Sequence, residues 1–144
     1  MHLTTQPPTP ETALPNRESG TRLLEGWTAL WSGDLALAEQ IIDPKFRLCF
    51  ANIVEGTGTD STLERSTLLT FITAHRQALP ELTYDLDGPP VIDGAHGRLA
   101  SRWTATYVDG SGTPVTKSGI DMFSITDGRI SGVWSLTGRR RFAV

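Results

Sequence analysis

The sequence predicts an α+β domain, with helices gathered in its first half and an antiparallel meander in its second. Three observations carry this. Leu23, Leu24, Trp27, Leu30 and Trp31 fall at helical spacing and form one apolar stripe. After Pro80 the period changes from helical to alternating and stays so to the end. Three Asp-Gly steps, at 93–94, 109–110 and 127–128, stand between the alternating runs, where hairpins turn.

The elements follow in order. Residues 1–18 are rich in Pro and Thr and bury little to offset their ordering entropy, so they are expected to form a flexible arm ahead of a domain spanning 19–144. The first helix is ended by Gly33. Asp34 is placed to cap a second, shorter helix carrying Leu35, Leu37, Ala38, Ile41 and Ile42, which Pro44 stops. Residues 46–52 alternate and read as a strand. A loop with Gly56 and Gly58 follows, and Ser61 with Glu64 resembles a capping box opening a third helix to about Leu79. Beyond Pro80, Leu82, Tyr84 and Leu86 share a face. Gly88-Pro89-Pro90 interrupts the strand before Val91-Ile92. Three long strands then run over about 98–108, 115–125 and 129–137.

Bulk composition narrows the function. The chain has 144 residues, enough for one domain, and 38% hydrophobic with 20% charged residues is ordinary for a globular protein. A net charge of -3 argues against a nucleic-acid partner, and the run Arg139-Arg140-Arg141 reads as a solvated end. Cys49 stands alone, so no intrachain disulfide or cysteine metal cluster can form, and the three histidines lack metal-ligand spacing. No metal and no cofactor is expected. The Pro-rich start has neither a signal-peptide core nor an anchor, so the expected location is cytoplasmic with no membrane partner.

Several short motifs stand in a particular order. Trp31-Ser-Gly-Asp34 separates the first two helices, and Asp43-Pro-Lys-Phe46 enters the first strand. Ala78-Leu-Pro80-Glu-Leu82 ends the third helix, Arg102-Trp103-Thr104 lies on a long strand, and Gly119-Ile-Asp121-Met-Phe123 leads through Asp127-Gly-Arg-Ile130 to Trp134. In that order, over about residues 20–138, the chain resembles the SnoaL-like branch of the nuclear transport factor 2-like superfamily. The resemblance implies a cone: a curved antiparallel sheet and three helices enclosing one apolar pocket, usually in a homodimer paired through the sheet's outer face. The fold hosts cyclases, isomerases, epoxide hydrolases and binding modules, so function rests on the site.

Asp121 is the leading candidate. It sits mid-strand where an apolar side chain is expected, sharing a face with Phe123 and Ile125. Burial there favours its neutral form and suits a general acid or base, since no Lys or Arg is expected on that face. The resemblance to polyketide cyclases places their acid/base Asp at this position. The alternative is an Asp held structurally by an indole or backbone N–H. His75, in register with the third helix's apolar stripe, is the second catalytic candidate; its alternative is a satisfied core histidine. Trp27, Trp31, Trp103, Phe123 and Trp134 supply aromatic walls for a flat apolar ligand, although core packing accounts for most such residues. Asn52 is placed to orient a substrate oxygen, as the resemblance to limonene-epoxide hydrolases implies, or simply to turn the strand end. Those enzymes' Arg-x-Asp motif meets Arg102-Trp103-Thr104 here, which lacks the carboxylate. The cyclases' final Glu-His-Trp meets Gly132-Val133-Trp134. Glu55 and Asp60 are candidates for a lid, or for a solvated loop.

The expected function is thus a cofactor-independent enzyme using acid–base catalysis on an apolar, carbonyl-bearing small molecule, as polyketide-type cyclisation or isomerisation in secondary metabolism. The alternatives are an epoxide-opening cyclase or hydrolase and a non-catalytic small-ligand-binding module.

Overall fold

The computed structural model describes residues 14–52, 56 and 61–143. Residues 1–13 of the expected arm, and Glu55 and Asp60 of the expected lid, lie outside them. The chain is already helical within the last residues assigned to the arm. Helix α1, Arg17–Trp31, starts on Asn16, whose side chain accepts from the Ser19 N–H at 2.9 Å while the Ser19 hydroxyl accepts from the Asn16 N–H at 2.9 Å. Such a reciprocal cap contributes about 1 kcal/mol. A 3-10 turn, Leu35–Leu37, then runs into the short helix α2, Ala38–Ile41.

Strand β1, Ile42–Phe50, begins four residues earlier than expected and includes Pro44, which therefore does not end the helix. The ladder tolerates it because the register breaks between Ile42 and Arg47, where the missing N–H costs no hydrogen bond. The expected capping box is also replaced. Ser61–Leu63 form strand β2, antiparallel to β1, and helix α3 starts only at Arg65 and runs to Ala78. A paired edge satisfies several backbone groups at once, whereas a Ser cap would satisfy one. The rest matches the alternating pattern closely: β3 Thr83–Leu86, β4 Val91–Asp93, β5 Arg98–Val108, β6 Pro114–Thr126 and β7 Arg129–Thr137. The β5–β6 turn is tied by Asp109, whose carboxylate accepts from the N–H groups of Ser111 and Thr113.

The strands form one curved, unclosed sheet in the order β2-β1-β7-β6-β5-β3, with β4 also on β5. The sheet is mixed, which corrects the expected all-antiparallel arrangement. β1 runs parallel to β7, because its neighbour comes from the far end of the chain and not from a hairpin. Helix α1 lies against β3 and α3 against β1. One end of the concavity is filled by Leu24, Leu30, Phe46, Phe123, Ile130 and Val133, each essentially inaccessible. The other end stays open. No helix among the described residues is long and apolar enough to cross a membrane.

Candidate active site

The open end of the concavity is an aromatic-lined cavity of about 50 Å³. Its buried polar lining residues are His75, Asp121 and Ser135. Register aligns Ser101 of β5, Asp121 of β6 and Ser135 of β7 side by side, and all three are buried. Asp121 is 3% exposed, on a strand whose flanking inward positions carry Gly119 and Phe123.

Trp27 reaches this carboxyl from α1, donating its indole N–H to Asp121 Oδ2 at 3.1 Å. The second oxygen, Oδ1, is buried without a hydrogen-bond partner. Desolvation pushes the Asp121 carboxyl above its ordinary value; Ser135, Trp103 and Trp27, all facing it, oppose that rise. The only salt bridge among the described residues is the exposed Asp93–His96 pair, so no cation pairs with Asp121 there.

A consequence is measurable in stability. The folded carboxyl titrates above its ordinary value of 3.8, so over that window the folded state holds a proton the unfolded state has lost. Asp121 therefore stabilises the fold most below pH 3.8, and this stabilisation falls as pH rises through the folded value. Urea midpoints measured over a pH series should show wild type losing stability, relative to Asp121→Asn, as pH is raised from there. Parallel curves would contradict it.

Aromatic side chains build the rest of the cavity. Trp31, Tyr84 and Trp103 form a parallel stack, with centroids 5.9 Å and 5.2 Å apart and planes within 12°. The end of α1 orients this stack, since Ser32 Oγ accepts from the Tyr84 N–H at 2.9 Å. Arg76 of α3 ties the same corner, donating to the carbonyls of Trp31 at 2.9 Å and Leu82 at 2.7 Å. His75 lies against the edge of Trp31 and its Nε2 is 3.1 Å from the Tyr84 hydroxyl.

The structure thus brings Asp121, His75, Trp27, Trp31, Asn52 and Trp103 to one cavity. Asn52 is exposed, at its rim. Two expected wall residues are elsewhere. Phe123 lies in the packed core below the cavity, edge-on to Trp27 at 5.7 Å. Trp134 lies on the outer face, 44% exposed under the Arg98 guanidinium. Strand parity excludes it: Ser135 points inward, so its neighbour points out.

Tyr84, Ser135 and Lys117 also line the cavity and were not anticipated there. The expectation that no Lys or Arg shares the Asp121 face is corrected by Lys117. It sits four residues along β6, about 13 Å away at strand rise, beside Tyr107 at the mouth. Counting by twos from Asp121 would have found it. Ser135 needed the β6–β7 register. Arg102 is exposed on the outer face, so it cannot serve the cavity. No group of three His, Cys, Asp or Glu among the described residues is placed to hold a metal ion.

No protein-family model and no curated protein sequence matches the chain. Solved structures do. TsrD from Streptomyces laurentii superposes with a TM-score of 0.67 at 20% identity, covering 85% of this chain and 90% of its own. A protein provisionally assigned as a SnoaL-like polyketide cyclase, from Jannaschia sp. CCS1, gives 0.67 at 14% identity, covering 92% and 91%. A provisionally assigned isomerase of the SnoaL-like family from Agrobacterium tumefaciens gives 0.67 at 20% identity, covering 84% and 98%. The chain therefore has the SnoaL-like, nuclear transport factor 2-like fold.

Proposed function

We propose that this protein is a cofactor-independent cytoplasmic enzyme that moves a proton on an apolar, carbonyl-bearing small molecule, in a polyketide-type cyclisation or isomerisation. One observation carries the reading. A carboxyl with a raised pKa is anchored through one oxygen by Trp27 and presents the other, unpartnered, in an aromatic cavity. Structural neighbours provisionally assigned as a cyclase and an isomerase support it.

In that reading, Asp121 accepts a proton from the carbon beside the substrate carbonyl, leaving an enolate. In a cyclisation the enolate carbon attacks a second carbonyl of the same molecule, and the new alkoxide takes the proton back from Asp121. In an isomerisation the proton returns to a different carbon. The rigid stack holds the substrate folded, so the two reacting carbons meet without further ordering.

The test needs no knowledge of the natural substrate. Flat bicyclic ketones such as 2-tetralone, incubated with the protein in D2O, should exchange the hydrogen beside the carbonyl faster than in buffer, by proton NMR. Ketones that bind without accelerated exchange would leave a binding module instead.

We further propose a homodimer. Ile120 and Leu136 pair across β6 and β7, as do Met122 and Trp134, and all four are exposed on the outer face. Such a patch marks an association surface. Light scattering should give twice the 15.7 kDa chain mass, and Met122→Asp should return the single-chain value.

A further inference from the structure

We propose that the indole N–H of Trp103 is the hydrogen-bond donor that receives the ligand's carbonyl oxygen, side by side with the Asp121 carboxyl. In the fold this N–H faces the Asp121 carboxyl without completing a hydrogen bond of ordinary geometry. Trp103 is 6% exposed and lines the cavity, and its Nε1 is buried with no hydrogen-bond partner. Leaving such a donor unpaired forfeits its hydration, so a partner delivered by a ligand recovers the loss.

The donor is also rigidly aimed. One face of the ring stacks on Tyr84, at 5.2 Å and 11°. Across the ladder Trp103 pairs with Gly119, and a Cβ built on that glycine would come within 2.0 Å of the indole. The ring lies in space that only glycine leaves, wedged between Tyr84 and the β6 backbone, and cannot swing away.

Its neighbour completes the site. Ser101 pairs with Asp121 and Trp103 with Gly119, so Trp103 and Asp121 are diagonal neighbours on the same face, within reach of an indole. Asp121 Oδ2 is occupied by Trp27, and Oδ1 is unpartnered. A fixed donor beside an open carboxyl oxygen is complementary to a carbonyl and the C–H on its adjacent carbon. As Oδ1 takes that proton, the C–H electron pair becomes a C=C bond and the C=O pair moves onto oxygen. The charge develops where the indole N–H points, so the hydrogen bond strengthens during the step. Trp31 also carries a buried, unpartnered Nε1, but it is not among the groups that act on the Asp121 carboxyl, whereas Trp103 is.

This deepens the acid–base reading of the same cavity, and the test separates the two. The probes are 2-acetylnaphthalene and 2-isopropenylnaphthalene, which differ only in C=O against C=CH2. The four tryptophans give four indole N–H resonances in 15N-labelled protein. The ketone should shift the Trp103 resonance downfield and the hydrocarbon should not. Trp103→Phe, which keeps a ring in the stack, should weaken ketone binding about tenfold while leaving hydrocarbon binding nearly unchanged. A shift at Trp31 alone, or equal weakening of both probes, overturns the assignment. The wild-type resonances decide the matter even if the variant unfolds. Should Trp103 respond as expected while Asp121→Asn still exchanges ketone hydrogens at the wild-type rate, the acid–base reading fails and the donor stands.

Discussion

Replacing Asp121 by Asn is expected to leave the fold intact and lower turnover by about two orders of magnitude or more, the usual loss for a positioned acid/base. Asn keeps the shape, and its carbonyl oxygen can still accept from the Trp27 indole, so the packing of α1 against β6 is preserved. What disappears is titration. The amide also avoids the desolvation that disfavours the buried carboxylate, so the variant should be at least as stable as wild type near neutral pH. Exchange of ketone hydrogens in D2O, read beside thermal unfolding, gives both quantities. Full exchange activity in a folded variant would reduce Asp121 to a structural partner of Trp27.

Gly119→Ala should be the most damaging small substitution in the sheet. Its Cβ would stand 2.0 Å from Cζ2 of Trp103 and 2.5 Å from Cε2 and Cη2, all ring atoms and none the end of a flexible chain. The indole cannot retreat, because Tyr84 lies stacked behind it and is itself stacked on Trp31. Overpacking of this kind costs about 1–3 kcal/mol. It should also disorder the stack that forms the cavity wall, so ligand binding is lost with the stability. Urea unfolding and near-UV circular dichroism measure the two effects. Gly110→Ala is the control: a Cβ there meets nothing within 4 Å, and stability should hardly change. If both variants unfold alike, the glycine at 119 is not what makes room for the indole.

Much of this molecule was legible along the chain. Period-2 alternation placed β5 and β7 at their observed ends and assigned Asp121 and Phe123 to one buried face. The three Asp-Gly steps marked the turns between the late strands. The apolar stripe of α1 named the face it buries, since Leu23, Leu24, Trp27, Leu30 and Trp31 are all covered. These are local properties. Backbone period and turn chemistry act over a few residues, so they can be read without knowing what lies opposite.

What only the tertiary structure decided depends on pairings between distant residues. Ser61 carries the pattern of a helix cap, yet it forms an edge strand because β1 was there to pair with it. The aromatic residues look alike in sequence, but parity and register send Trp134 to the outer face, Phe123 into the core and Trp103 to the cavity wall. The parallel β1–β7 ladder, the Trp27–Asp121 hydrogen bond across 94 residues and the seating of Trp103 over Gly119 have no local signature. Each arises when the sheet curls and brings separate elements within reach. The sequence by itself determined the buried face of α1, the late strands with their turns, and which way Asp121 faces. Which groups meet that carboxyl was settled by long-range packing, whose free energy is realised only when the whole concave face closes over α1.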